Sequence, residues 1–253
     1  MSVIYVVGIG PGGADTITPQ AMKILQSCDV IAGYEKYVDM VKDLVPGKIL
    51  YTSGMTHEAE RCGYVLFLAK DFGLKVALVS SGDSGVYGMA GLMLEVADGS
   101  GVEVRVIPGI TAANSCAAIL GAPLMNDYAA ISLSDRLASW DVIKRRLVSA
   151  CTGDFVICLY NPASSLRPYS FMKACDTILH YRDSKTPAGY VRNAGRDGES
   201  SRIMTLREIR NCQDVDMLCT VIIGNSQTYV LGGKMITPRG YDVKGNSRAT
   251  PCP

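Results

Sequence analysis

Val3-Ile4-Tyr5-Val6-Val7-Gly8-Ile9-Gly10-Pro11-Gly12-Gly13 is an apolar, largely β-branched run that breaks into four glycines and a proline. Such a run reads as a strand buried on both faces, and so as the first, central strand of a parallel sheet. The glycines that follow can take positive φ and leave N–H groups exposed. A small molecule is therefore expected at the carboxyl end of this strand.

Gly8-x-Gly10-x-x-Gly13 matches the dinucleotide fingerprint, but its context does not. In such a site the third glycine opens a helix that faces the pyrophosphate. Here Ala14-Asp15-Thr16-Ile17 intervene, and the helix signal starts later, with Thr18 as N-cap, Pro19 at the first helical position and Ala21, Ile24, Leu25 and Cys28 on one face. The acid that should close the second strand is at the wrong end, because Asp29 precedes Val30-Ile31-Ala32 and Gly33-Tyr34 follow it.

Composition narrows the class. The chain has 253 residues, 25 basic and 24 acidic, enough for one large domain or two ordinary ones. The absence of a basic run and the low aromatic content argue against nucleic acid as a partner. No apolar stretch reaches about 18 residues and the first strand has no basic lead, so neither a membrane span nor a secretory signal is expected. Nine cysteines without any Cys-x-x-Cys pair, several inside apolar runs, fit buried reduced thiols in a cytoplasmic protein rather than a metal site.

From the first strand to about residue 121 the pattern alternates strand and helix. Lys75 to Val79 runs into Ser81-Gly82-Asp83-Ser84-Gly85-Val86-Tyr87-Gly88, and Val102 to Ile107 runs into Pro108-Gly109-Ile110-Thr111-Ala112. In a parallel sheet the carboxyl ends share one edge, so three glycine-bearing loops should converge there. The helical pattern stops at Gly121-Ala122-Pro123, read as a linker. A second α/β domain over 127–238 has closely spaced late strands and a mixed sheet, and the tail 239–253 is expected to be mobile.

Taken together, Gly8 to Gly12, Ser81 to Gly88 and Pro108 to Ala112 resemble the S-adenosylmethionine-dependent tetrapyrrole methylases, a family of two α/β domains, over residues 3 to about 236. Ser81 to Ala90, Pro108 to Asn114, Ile131 to Asp135, Leu159 to Pro162 and Val221 to Ser226 look like the branch that methylates C17 of precorrin-3B or cobalt-precorrin-3 in cobalamin biosynthesis. Other branches usually carry proline where this chain has Ser84.

The resemblance implies a tetrapyrrole-methylase fold, a homodimer and a set of cofactor residues. Gly10 and Pro11 would pack on S-adenosylmethionine from the first loop. Ser81, Gly82 and Asp83 would hold its methionine end, where a carboxylate suits an ammonium and a sulfonium, and Val86 would pack beside them. Thr111 and Ala112 would offer a helix N-terminus. Tyr160 or Asn161 would close the pocket from the second domain, Gly189 would flank the adenine, and Thr220 is a further candidate. Asp83 could instead only cap the following helix, and Thr111 is open to the same reading.

Methyl transfer from a sulfonium needs no acid or metal to help the neutral leaving group depart, so no metal ligands are expected. The implied ring contraction, with loss of C20 from the macrocycle, could use a proton donor or acceptor, for which Ser132, Ser134, Asp135 and Asn193 follow second-domain strands. The macrocycle's acetate and propionate arms call for arginine, whose planar fork pairs with carboxylates. Arg136 and Arg192, each after a second-domain strand, are expected to face the cleft between domains, with Arg167 and Arg196 on longer loops as further candidates.

Overall fold

The computed structural model describes residues 2–164 and 166–241, so the expected mobile tail lies outside the described residues from 242 onward. Contacts divide the chain into two compact units, Met1–Ala112 with Gly195–Asp197, and Ala113–Ala194 with Gly198–Pro253.

The first unit alternates β1 (Val3–Gly8), α1 (Pro19–Ser27), β2 (Val30–Tyr34), α2 (Glu35–Asp39), β3 (Ile49–Ser53), α3 (Glu58–Phe72), β4 (Val76–Ser80), α4 (Ala90–Ala97) and β5 (Glu103–Ile107). Its five strands are all parallel, in the order β3-β2-β4-β1-β5, so the central strand is β4, with β1 beside it. Alternation along the strands splits the core. Val7, Ile9, Ile31 and Val79 pack toward α1 and α2, whereas Ile4, Val6, Val30 and Leu78 pack toward α3 and α4. Each such side chain contributes about 1.5–3 kcal/mol when fully buried. Thr18 caps α1 as its sequence suggests, its hydroxyl accepting from the Ala21 N–H at 3.1 Å.

The Tyr34–Met40 stretch packs its apolar side on the core. Val38 is buried, and Tyr37 and Met40 pack on the same cluster. Exposed apolar side chains of this unit include Ile49 and Leu50 on the edge strand β3 and Phe67 and Phe72 on α3.

The second unit takes α5 (Ala112–Leu120) almost whole, then β6 (Gly121–Ala122), β7 (Tyr128–Ser132), α6 (Trp140–Thr152), β8 (Val156–Tyr160), α7 (Ser170–Leu179), β9 (Pro187–Arg192), β10 (Ser200–Thr205), α8 (Leu206–Arg210), β11 (Cys219–Ile223) and the hairpin β12 (Tyr229–Leu231) and β13 (Lys234–Ile236). The main sheet is mixed, in the order β10-β9-β11-β8-β7, with only β7 and β8 parallel. One face packs α6 and α7 through Ile143, Leu147, Phe171 and Ile178. The other carries α5, whose Ala113, Cys116, Ala117 and Leu120 pack with Val156, Cys158, Val191 and Ile222. This packing moves the division to before α5, earlier than the linker at 121–123. That stretch instead contains β6, which pairs in parallel with β13.

Seven of the eight described cysteines are buried. Burial raises the pKa of the Cys28, Cys62 and Cys116 thiols to about 11. All three therefore stay protonated and behave as small apolar groups.

Candidate active site

The loops after β1, β4 and β5 interlock through their backbones. The Ile9 N–H donates to Ser80 O at 3.0 Å, and Gly10 and Gly82 exchange two hydrogen bonds, at 3.1 and 2.7 Å. Both glycines take positive φ, +75° and +69°. Gly8 and Gly109 meet so closely that a Cβ on Gly109 would lie 2.2 Å from Gly82 O and 2.6 Å from the Gly8 carbonyl carbon. The convergence expected of the three loops is thus a backbone contact that leaves no room for a side chain.

Asp83 fastens the same edge. One carboxylate oxygen accepts from Gly85 N–H at 2.8 Å and the other from Gly109 N–H at 3.0 Å, joining the second loop to the third. It does not cap the following helix, because α4 starts at Ala90 with Met89 at its N-cap position. Ser84 is fully buried, and its hydroxyl donates to Val6 O at 3.1 Å and lies 3.4 Å from Ile107 O, beneath the loops. The turn beyond it is exposed: Val86 keeps 36% and Tyr87 53% of its surface. Thr111 precedes α5, and Ala112 opens it.

A segment from much later in the chain joins this edge. Gly195 O accepts from Gly13 N–H at 2.7 Å. A Cβ on Gly12 would fall 2.0 Å from that oxygen and 2.8 Å from Arg196 Cγ, so the segment seats only because residue 12 is glycine. Arg196 then donates through Nε to Pro11 O at 2.5 Å and through Nη2 to Ser81 Oγ at 2.6 Å. Burial pulls its pKa below the usual guanidinium value. Arg61 on α3 is 3% exposed and donates to Ser53 Oγ and Gly54 O, both at 2.8 Å. Burial raises the pKa of the Tyr37 hydroxyl, while the Arg196 and Arg61 charges oppose that shift.

Within the second unit, the carboxyl ends of β7, β8 and β9 and the start of β11 lie along one edge. Ser132 Oγ accepts from Asn161 Nδ2 at 3.0 Å and from Ser134 N–H at 3.2 Å, so these three expected residues do meet. Tyr160 OH accepts from the Ala113 N–H at 2.9 Å. Asn161 and Asn193, each just past a strand, take positive φ of 51° and 52°, a conformation asparagine tolerates better than most residues. Thr220 is buried one residue inside β11. Gly189 is not brought to the edge. It lies mid-strand, where an added Cβ would meet Leu120 Cδ2 at 2.9 Å, so close packing of α5 accounts for this glycine.

Residues 3–210 match the sequence profile of the Tetrapyrrole (Corrin/Porphyrin) Methylases. The chain belongs to that family. A Salmonella typhimurium protein named "Probable cobalt-factor III C(17)-methyltransferase" is 46% identical over 241 residues, 94% of this chain and 99% of its own. The crystal structure of the methyltransferase CobJ matches with a TM-score of 0.87 at 32% identity, covering 94% of this chain and 100% of that one. A Thermus thermophilus uroporphyrin-III C-methyl transferase, complexed with S-adenyl homocysteine, shares the fold with a TM-score of 0.70 at 21% identity, covering 87% of this chain and 96% of that one.

Tetrapyrrole methylases draw their methyl group from S-adenosylmethionine, and the donor set at the first unit's edge fits its amino-acid end. Each Asp83 oxygen accepts one N–H and keeps a further lone pair for an ammonium. Arg196 keeps N–H groups for a carboxylate, since its described acceptors engage only Nε and Nη2.

The arginines sort differently from the expectation in this methylase. Arg192 is compensated by Asp216 at 3.0 Å. Burial pushes the Asp216 carboxyl up, but the Leu218 N–H and the Arg192 guanidinium outweigh it and hold the pKa below the usual range. Arg167 donates to Leu133 O at 2.7 Å and lies 3.5 Å from Asp135. Arg136 is exposed. The residue that sequence reading missed is Arg61. Its signal was an arginine at helical spacing on a buried stripe, with Val65 and Ala69 following it on the same face of α3.

Proposed function

We propose that this chain transfers a methyl group from S-adenosylmethionine to C17 of a cobalt-factor III type tetrapyrrole in cobalamin biosynthesis, with ring contraction accompanying the transfer. The observation that carries this reading is the 46% identity to the Salmonella relative across nearly the full length of both chains. When bound, the donor supplies a methyl on a sulfonium whose leaving group departs neutral. The protein's share is then alignment and exclusion of water, worth about 7–11 kcal/mol when geometry is good.

In this reading Gly10, Pro11, Ser81 and Gly82 present rigid backbone to the donor, Asp83 faces its ammonium, and Val86 packs beside it. Thr111 and Ala112 offer N–H groups. Tyr160, Asn161 and Thr220 belong to the same proposal, and Ser132, Ser134, Asp135 and Asn193 remain candidates for moving a proton during contraction. Cobalt enters inside the substrate and needs no protein ligand. The proposal includes a homodimer.

The test supplies a donor labelled with 13C at the methyl, together with cobalt-bound and metal-free substrate, and locates the label by NMR. Label at C17 with the cobalt-bound substrate is expected. Label on another carbon, or no transfer to either substrate by a chain that binds S-adenosylhomocysteine, sinks the reading.

A further inference from the structure

Arg196 is a half-buried cation held in a built seat. Gly12 and Gly195 make room for it, and the Pro11 carbonyl and Ser81 hydroxyl fix its guanidinium from two loops. Both acceptors are neutral, and among the described residues no aspartate or glutamate lies within ion-pair distance. An arginine carries five N–H groups, and these contacts use only the Nε edge and one position on Nη2. Two donors of Nη1 thus have no described acceptor.

A second positive charge stands near the same edge. Arg61 is almost completely buried, and the partners described for it are also neutral: Ser53 Oγ, the Ser53 and Gly54 carbonyls and Met89 Sδ. Those contacts place Arg61 at the carboxyl end of β3, on the edge strand of the same parallel sheet. A charge withdrawn from water without a counter-charge is costly. An anion arriving there would offset that cost, and a planar carboxylate matches the arginine fork.

We infer that Arg196 binds a carboxylate of an incoming ligand. The source rests on the proposed function, which brings two: the methionine end of the methyl donor and the acetate or propionate arms of the tetrapyrrole. The carboxylate itself rests only on the geometry.

Calorimetric titration of the full chain and of Arg196→Met with four probes separates these cases. The probes are S-adenosylhomocysteine, its decarboxylated analogue, uroporphyrin and uroporphyrin octamethyl ester. The substitution should weaken one carboxylate-bearing probe by about 10- to 100-fold, the size of a lost charge-assisted hydrogen bond, and leave its neutral counterpart unchanged. Loss on S-adenosylhomocysteine assigns the methionine end, and loss on uroporphyrin assigns the macrocycle arms.

Equal loss for an acid and its neutral counterpart makes Arg196 a loop strut and overturns the inference. So does unchanged affinity for both acids, or failure of the wild type to bind either. A wild type that binds uroporphyrin but not S-adenosylhomocysteine refutes the methyltransferase reading while leaving this comparison decisive. If circular dichroism shows Arg196→Met unfolded, Arg196→Lys, which keeps the charge and loses the fork, takes its place and should show a smaller loss of the same pattern.

Discussion

At the carboxyl edge of the first sheet the loops meet glycine backbone to glycine backbone, with Asp83 and Arg196 as side-chain ties, whereas the matching edge of the second has no such glycine contact and adds side-chain ties to its extended strand ladder. Gly10 and Gly82 exchange main-chain hydrogen bonds, and Gly8 and Gly109 touch without a Cβ between them. The other edge depends on Asn161 with Ser132, Arg167 with Leu133 O, and Arg192 with Asp216. Backbone ties fix one geometry and give way together, while side-chain ties can be changed one at a time.

The largest effect should come from Gly109→Ala. The new methyl would strike Gly82 O and the Gly8 backbone, neither of which can move without undoing the interlock. The loss in a urea titration should be about 3 kcal/mol, the upper end for overpacking. Gly189→Ala is the control, since its closest contacts are the end of the Leu120 side chain, with Arg202 O farther off at 3.2 Å, and should lose about 1 kcal/mol. Equal losses would erase the contrast between the two units.

Next in size is Asp83→Ala, which leaves Gly85 N–H and the half-buried Gly109 N–H without their acceptor. It should lower stability by about 1–3 kcal/mol and also weaken S-adenosylhomocysteine binding in calorimetry. Lower stability with intact affinity would confine Asp83 to joining the two loops.

The smallest effect belongs to the second edge. Because the Asp216 carboxyl is held below its ordinary value, the fold binds its proton less readily than the unfolded chain does. Its stabilisation is therefore present above the unfolded pKa of about 3.9 and fades as pH falls through that value toward the folded one. Half-exposed as the Arg192 pair is, the contribution should stay below about 1 kcal/mol. Urea midpoints for wild type and Asp216→Asn should differ slightly at pH 7, and the gap should narrow as pH falls below about 4. A gap of the same size at every pH would rule out the charge as its source.

Much of the fold was legible because local signals were strong. The Thr18-Pro19 start of α1, Gly73 after α3 and the β-branched runs of β1 and β4 each act within a few residues. The placement of α5 was not legible, since its apolar face over Ala113, Cys116, Ala117 and Leu120 fits either sheet and only packing decides. β6 was lost for a similar reason, as two residues beside a proline carry no strand periodicity until β13 pairs with them. At the site, the glycine loops announced themselves. Arg192 looked available because its Asp216 partner lies 24 residues away in sequence, and Arg61 went unnoticed because an arginine on a helix usually faces water.

The seating of Gly195–Asp197 against the first loop has a consequence for biosynthesis. Every strand of the first sheet has been translated by Ile107, yet the residues that complete its loop edge arrive only with Gly195. At about 5–20 residues per second the ribosome needs roughly 4–18 s to cover that interval. Until then the Gly13 N–H lacks its Gly195 O acceptor and Pro11 and Ser81 lack Arg196, so the first half of the chain completes its loop contacts only after most of the second half has emerged.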